Sequence, residues 1–197
     1  MRDMLSYLAS SLSSPVNAEG RLLALQCVLR SGRLGDVSIP AGLARGMGQA
    51  DAESAWSQLE AAAWLRRVPR EGTAVVARLT DPLTGMPGLK ARSRAADWAL
   101  RRARGRELAG LPARTRLTAL ALQAHTHTGH LGGIADAHQM ARACACSVPE
   151  LLNELRRLVA HEGLSCWTLD ERTDDLSWQL PTTAHPEGMA PDSRQPA

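Results

Sequence analysis

The chain has 197 residues, 44% of them hydrophobic, and a formal net charge of +3 at neutral pH. This length fits one ordinary domain or two small ones, and the hydrophobic fraction is sufficient for a packed core. No apolar run approaches the roughly 18 residues of a membrane helix, and the first residues lack the pattern of a signal peptide. We therefore expect a cytoplasmic protein that does not enter a membrane and whose four cysteines are reduced.

The first half begins with a predicted amphipathic helix within residues 1–19, whose apolar residues recur at helical spacing. This pattern fits either a helix that packs on its own chain or a dimerisation helix. Residues 20–80 form a first predicted module of three helices and one strand. Its predicted elements are a buried helix over 20–31, a short helix around 43–47, a longer helix that runs to about residue 66, and a strand over 73–79.

Residues 81–111 are predicted to be a linker, with a boundary rich in proline and glycine and then a basic helix over 91–105. Charge is concentrated here. Between Lys90 and Arg116 the chain has nine basic and two acidic residues, a local charge of +7, whereas residues 1–89 carry +1 and residues 117–197 carry −5. Concentrated positive charge attracts phosphate, so this segment predicts contact with a nucleic acid.

Residues 112–180 form a second predicted module. A helix begins near Pro112, and a loop rich in histidine and glycine follows it. Next come a short helix over 136–145 and a longer helix that starts at a capping box, with Ser147 at the N-cap and Glu150 three residues later. Two short strands over 164–169 and 176–180 complete the module. Residues 181–197 contain four prolines and few apolar residues, which predicts a disordered tail.

The two modules repeat one pattern of apolar positions. When Leu59 is placed over Leu158, three more apolar pairs align, namely Met47 with Cys146, Trp56 with Leu155, and Leu65 with Leu164. Both halves resemble the winged helix-turn-helix modules of bacterial regulators, at the level of the superfamily. The resemblance implies a mainly α fold with short β wings, in which two winged-helix modules are joined by a basic helical linker. Trp64 stands where the second half has Gly163, which predicts a different end for the third helix of the first module.

In such a fold the third helix enters the major groove, so the resemblance implies base contacts from residues 49–61 and 148–161. In the first module the candidate residues are Gln49, Ser54, Ser57 and Gln58, and in the second they are Asn153, Arg156 and Arg157. Three acids share the first of these helices, namely Asp51, Glu53 and Glu60. A solvated polar face is therefore the other interpretation of that helix.

Phosphate contacts are predicted from arginines along the first module and the linker. They are Arg45, Arg66, Arg67, Arg70, Arg78, Arg94, Arg101, Arg102 and Arg104. The second wing differs, because residues 170–175 hold four acids and a single arginine. A phosphate backbone would repel these carboxylates, so we expect the second wing to face water or a protein partner.

Histidines and cysteines cluster between His125 and Cys146, which raises the question of zinc binding. Cys144 and Cys146 are too close together for the usual zinc pair, so no metal and no other cofactor is expected. Cys166 is expected to pack in the core. The sequence has no phosphate-binding glycine motif and no paired catalytic residues, and it therefore predicts a protein that is not an enzyme.

Together these patterns predict a protein that binds double-stranded DNA at specific sequences, as a transcriptional regulator does. The third helix of the first module would read the bases, and the arginines would hold the phosphates. A homodimer on a palindromic site is left open. Two alternatives share the same fold. One is a protein-interaction factor of chromosome organisation that binds a protein partner through its second module, and the other is a plasmid or phage replication initiator.

Overall fold

The computed structural model describes residues 1–12, 15–46, 52–69, 72–81, 87–127 and 129–182, with the backbone alone for residues 44–46. In these residues the chain is mainly α-helical and carries two small three-stranded antiparallel sheets, as the sequence predicted at that level. None of the helices in this part of the chain is both long enough and apolar enough to span a bilayer.

The first half starts with a helix that precedes a six-element unit. The elements in chain order are α1 (Arg2–Ser11), α2 (Ala18–Arg30), β1 (Asp36–Pro40), α3 (Ala41–Gly46), α4 (Ala52–Ala61), β2 (Leu65–Val68) and β3 (Ala74–Leu79). Strand β3 lies in the middle of the sheet, and β1 and β2 pair with it on either side.

The second half repeats this order. After α5 (Leu89–Ala103) and a 3-10 turn (Arg106–Leu108), the elements are α6 (Ala113–His125), β4 (Gly132–Asp136), α7 (Ala137–Ala143), α8 (Val148–Ala160), β5 (Cys166–Asp170) and β6 (Asp175–Gln179). Strand β6 is central, between β4 and β5. Both halves therefore have the order helix, strand, helix, helix and hairpin, with the same sheet order.

The third helices of the two halves end in the same way, contrary to the expectation from Trp64. Ala63 and Glu162 both adopt the left-handed conformation, with φ of 52° and 58°. In both halves the next amide closes the helix end, since Trp64 N donates to Leu59 O at 3.1 Å and Gly163 N donates to Leu158 O at 2.9 Å. Helix α4 consequently ends at Ala61 and not near residue 66, because residues 65–68 form β2.

Helix α5 packs on the first helix of each half. Ala96, Ala99 and Ala103 are buried, and their small side chains allow α2 and α6 to approach closely. Two buried polar contacts fix α5 to the first half, since Gln26 Nε2 donates to Ala96 O at 3.1 Å and Arg92 Nη1 donates to Ser31 O at 2.6 Å. The buried residues of both halves form one continuous core, which includes α5.

Helix α1 lies against its own chain. Leu5 and Leu8 are buried, and the helix contacts α2, α6 and α7. Arg2 adds a hydrogen bond from Nη2 to the carbonyl oxygen of His125, at 3.0 Å. The packing interpretation therefore accounts for the apolar face of this helix.

Strand β4 was not predicted, because its two glycines are more typical of a loop. Gly133 pairs with Trp178 of β6, and the indole ring of Trp178 covers the glycine backbone. Trp178 is buried, and its Nε1 donates to Thr126 Oγ1 at 3.0 Å, which holds the ring in place. Gly133 therefore leaves room for an aromatic ring that belongs to the core.

Replacing Gly133 by alanine should destabilise the protein by about 1–3 kcal/mol, because a Cβ at this position would collide with the Trp178 ring. The measurement is the free energy of unfolding in urea. Gly42→Ala is the matched control, since it lies in α3 and no atom stands within 4 Å of the added Cβ. We expect this control to be neutral or slightly stabilising. Equal effects of the two substitutions would contradict the proposed role of the ring.

Candidate nucleic-acid interface

The outward face of α5 carries a row of basic side chains. Arg92, Ala96, Ala99 and Ala103 form the buried face of this helix. Lys90, Arg94 and Arg101 on the opposite face and Arg104 at the C-cap, which we together call the α5 stripe, are exposed and follow one another at helical spacing. The stripe extends over about 21 Å, at 1.5 Å per residue.

The α5 stripe is free of carboxylate partners within the described ranges of the chain. The acid on the same face, Asp97, is engaged elsewhere, since Arg30 Nη2 binds its Oδ1 at 2.8 Å. The stripe therefore presents four cationic groups to solvent with little local compensation.

The other basic residues of the middle segment serve different purposes. Arg92 and Arg116 are buried, and burial lowers the pKa of the Arg116 guanidinium. Arg114 binds the carboxylate of Glu150 at 2.7 Å. Arg102 is exposed on the flank of α5, where it lines a groove beside the second half. Some of the basic residues behind the local charge of +7 therefore make contacts within the protein, and a smaller number are exposed to solvent.

The first wing is less cationic than its sequence predicts. Arg67 binds Glu60 at 2.7 Å and Glu53 at 2.6 Å, and these hydrogen bonds raise the pKa of Arg67 and lower that of Glu60. Arg78 Nε binds Asp36 Oδ1 at 2.7 Å. Arg66 is exposed, and Arg70 lies outside the described residues. Two of the four predicted wing arginines are therefore paired with carboxylates of the same chain.

Helix α4 offers few free polar groups. Gln58 accepts a hydrogen bond from Asn17 N at 3.0 Å and donates to Ser54 Oγ at 3.2 Å, so its amide serves internal contacts. Ser57 is exposed. Gln49 lies outside the described residues, and the side chain of Arg45 is not described either. The most prominent charges on the outward face of α4 are the carboxylates of Glu53 and Glu60, which Arg67 binds.

Helix α8 presents a different outward face. Asn153 and Arg156 are exposed, and Arg156 Nη1 donates to Asn153 Oδ1 at 2.7 Å. The Arg156 guanidinium also lies over the ring of Trp167, with its carbon 6.0 Å from the ring centroid. The sequence did not predict the contact between Trp167 and Arg156. The pattern that could have indicated it is an aromatic residue on the strand that follows the helix. This arrangement orients the two polar side chains toward solvent together.

Two contacts fix the position of α8. Ser147 and Glu150 form the predicted capping box, and the hydrogen bonds from Ser147 and then Arg114 lower the pKa of Glu150 to about 2. Glu154 is buried and accepts hydrogen bonds from Thr115 Oγ1 at 2.5 Å and from Arg157 Nη1 at 2.9 Å. Both acids of α8 are thus bound, and Arg157 is partly committed to this internal network.

The second wing is acidic and exposed, as its sequence indicates. Asp170 accepts a hydrogen bond from the backbone of Arg172, and Asp175 accepts one from the Thr173 hydroxyl. Asp174 Oδ2 lies 3.6 Å from His138 Nε2. The first of these acids, Asp170, lies three residues after Trp167 on β5, which corresponds to about 10 Å at about 3.4 Å per strand residue. This separation exceeds the Debye length of about 8 Å at physiological ionic strength, so the acids act weakly on the outward face of α8.

The cysteines and histidines form no group of three or more metal-ligating side chains within the described part of the chain. Burial raises the pKa of Cys144 to about 12 and that of Cys146 to about 11, so both remain protonated thiols at neutral pH. Burial also raises the pKa of Cys27. Cys166 is exposed on β5, which corrects the expectation that it packs in the core.

The most prominent features of the described surface are therefore the α5 stripe and the outward face of α8. The C-terminal ends of these two helices are neighbours, because Arg102 and Glu162 line the same groove. Comparison of the chain with models of known protein families, with curated protein sequences and with solved structures finds no match.

Proposed function

We propose that this chain binds double-stranded DNA at specific sequences, as a transcriptional regulator, through two winged-helix modules joined by the basic helix α5. The order helix, strand, helix, helix and hairpin in both halves supports two modules of this kind. The fold supports the docking geometry, whereas the surface side chains carry the functional argument.

The α5 stripe is the observation that carries the proposal. Its four cationic groups are exposed, regularly spaced and unpaired within the described residues. Duplex DNA carries one phosphate charge per about 1.7 Å of axis, so about 21 Å of duplex holds roughly a dozen phosphates on its two strands, more than the four cations need. Arginine is suited to this contact because its planar guanidinium donates two parallel hydrogen bonds to phosphate oxygens.

Base contacts are better supported for the second half than for the first, which reverses the order that the sequence favoured. Arg156 and Asn153 are exposed on α8, and both acids of that helix are bound internally. Arginine pairs with guanine and asparagine with adenine in the major groove. On α4, by contrast, Gln58 is committed to internal hydrogen bonds, and the carboxylates of Glu53 and Glu60 share the single guanidinium of Arg67, which leaves a net negative charge that would repel phosphate.

A salt series measures the proposed phosphate contacts. If the four residues of the stripe each neutralise one phosphate, the affinity for duplex DNA should fall about 100-fold between 50 and 200 mM salt. Fluorescence anisotropy with a labelled duplex gives this dependence. Affinity that stays constant over this range would rule out a phosphate-based contact.

Selection of bound sequences from a random duplex library separates specific from non-specific binding. We expect a preferred site that contains guanine and adenine at neighbouring positions, with Arg156→Ala relaxing the preference for the guanine by about 1–3 kcal/mol. A library that shows no enriched site would contradict the proposed specificity. Two-fold symmetry in the enriched site would indicate a homodimer.

The acidic second wing favours a second candidate function, in which the second half binds a protein. Asp170, Glu171 and Asp174 are exposed together, and they suit a basic protein surface better than phosphate. A factor of chromosome organisation or a replication initiator would use the fold in this way. Recovery of a specific protein partner, with no shift of duplex DNA by the same preparation, would select this function.

A further inference from the structure

A groove of about 640 Å³ lies beside the C-terminal half of α5, on the flank next to the α5 stripe. The ends of α5, α6, α8 and β6 and the loop before β4 form its walls. This volume falls within the range of about 300–1,000 Å³ that small-molecule sites occupy. The predicted DNA contacts do not account for the groove, apart from Arg102 on its rim.

One side of the groove is apolar. Trp98 and Leu180 are half-buried there, and Leu131 leaves 50% of its surface exposed. Trp98 projects from the flank of α5 and contributes a flat aromatic surface. A ligand with a flat apolar body would remove these side chains from water, which is favourable by about 25 cal/mol per Å² of apolar surface.

Two opposite charges flank this apolar surface. Arg102 stands on α5, and Glu162 stands just after the end of α8. Both are exposed, and neither has an ion-pair partner within the described residues. Glu107 also lines the groove, but its carboxylate folds back against Gly105. A ligand that carries an acid at one end and an amine at the other would satisfy both unpaired charges.

Gln123 adds an unsatisfied acceptor to the same wall. Its Oε1 is buried and has no hydrogen-bond partner in the part of the chain that the structure describes. A buried acceptor without a donor costs about 1–3 kcal/mol. This atom has less than 1 Å² of accessible surface, so Gln123 shapes the wall of the groove and its Oε1 does not itself contact a ligand.

From these observations we infer that the groove binds a small zwitterion, with a carboxylate at Arg102, an amine at Glu162 and a flat apolar body against Trp98. His127 and His130 line the rim beside the loop, where their ring nitrogens supply further hydrogen bonds. The inference rests on the groove alone and does not depend on DNA binding.

Three probes of nearly equal size test this inference on the full-length protein without DNA. They are 4-(aminomethyl)benzoate with both charges, 4-methylbenzoate with the acid alone, and 4-methylbenzylamine with the amine alone. Binding is followed by the NMR shift of the Trp98 indole N–H, which is assigned with Trp98→Phe. We expect 4-(aminomethyl)benzoate to bind about tenfold more tightly than either analogue, as one additional charged hydrogen bond predicts.

Two variants locate the charges. Arg102→Gln should weaken 4-(aminomethyl)benzoate and 4-methylbenzoate about tenfold, and Glu162→Gln should weaken 4-(aminomethyl)benzoate and 4-methylbenzylamine by a similar factor. Arg101→Gln is the matched control, because it removes the neighbouring charge from the outward face of α5, and it should leave all three affinities unchanged. Thermal unfolding midpoints confirm that each variant is folded.

Three results would overturn the inference. The first is no shift of the Trp98 indole with any probe up to about 10 mM, well above the millimolar range of weak ligands. The second is equal affinity for the three probes, which would mean that the apolar surface alone binds them. The third is equal weakening by Arg102→Gln and Arg101→Gln, which would indicate a general charge effect.

Discussion

Replacing Arg94, Arg101 and Arg104 together by glutamine should lower the affinity for duplex DNA about 100-fold at physiological salt. Each phosphate contact contributes about 0.9 to the slope of log affinity against log salt, so the loss of three contacts should reduce that slope by about 2.7. Extrapolated from 1 M to 0.15 M salt, this slope corresponds to roughly two orders of magnitude in affinity. The three side chains are exposed, so the substitutions should leave the fold unchanged.

A triple variant with the same change of net charge provides the control. Arg33, Arg142 and Arg172 are also exposed, and they lie outside α5. Their joint replacement by glutamine should change the affinity only a few-fold, through the long-range field of the protein. Equal losses in the two triple variants would show that DNA responds to net charge and not to the α5 stripe.

The sequence does not show which basic residues of α5 are exposed, because residue type alone does not determine whether a side chain is buried. Arg92 is as basic as Arg94 in the sequence, yet it is buried and donates to Ser31 O. The buried face of α5 places Arg92 beside three alanines, Ala96, Ala99 and Ala103. A hydrogen bond from an arginine to a carbonyl 61 residues away is a tertiary contact, and no local pattern indicates it.

The same reason explains the first wing. Arg66, Arg67 and Arg78 look equivalent in a list of charges, but the fold brings Glu53 and Glu60 to Arg67 and Asp36 to Arg78. The strand β1, which carries Asp36, was itself missed, because Ile39 and Pro40 were interpreted as part of a loop between two helices. Counting charges along the chain therefore overestimates the positive charge of a surface wherever the fold brings acidic residues of another helix or strand next to the arginines.

The repeat was the most informative part of the sequence. Aligning Leu59 with Leu158 also aligns Ala63 with Glu162, and the structure gives these two residues the same left-handed conformation. The predicted range 148–161 agrees with α8 (Val148–Ala160), whereas the third helix of the first module was predicted to run to about residue 66 and ends at Ala61, because the apolar spacing does not show where the following strand begins. Strand β4 could not be predicted from the sequence. A glycine stands at position 133 because the ring of Trp178 leaves no room for a side chain there, and Trp178 follows 45 residues later.

Thr115 and Glu154 form a buried polar pair whose removal should have the largest effect on stability among the polar contacts of the second half. Thr115 is fully buried, and its Oγ1 donates to Glu154 at 2.5 Å and accepts from Arg157 Nη1 at 3.2 Å. Glu154→Leu alone leaves the buried hydroxyl without its acceptor. Thr115→Val alone leaves the buried carboxylate with Arg157 only. Each single substitution should cost about 2 kcal/mol.

The double variant Thr115→Val/Glu154→Leu should cost about 2 kcal/mol rather than about 4, because no buried polar group is then left without a partner. Urea unfolding at neutral pH measures the four free energies of this cycle. Thr118→Val combined with Glu154→Leu is the control, since the Thr118 hydroxyl donates to Arg114 O and not to Glu154. This control should be additive. Additive energies for the Thr115 pair as well would mean that the short hydrogen bond contributes no coupling.

The first half lacks this pair, and that difference links the stability prediction to the proposed DNA contact. Aligned from their first residues, α2 and α6 place Gly20 at the position of Thr115, and the alignment of Leu59 with Leu158 places Ala55 at the position of Glu154; neither residue carries a hydrogen-bonding side chain. The polar pair therefore joins α6 to α8 alone, on the helix that also presents Asn153 and Arg156. If it orients α8, the double variant should lose discrimination between preferred and random duplexes while its slope against salt stays unchanged. A loss of slope instead would place its effect on the phosphate contacts.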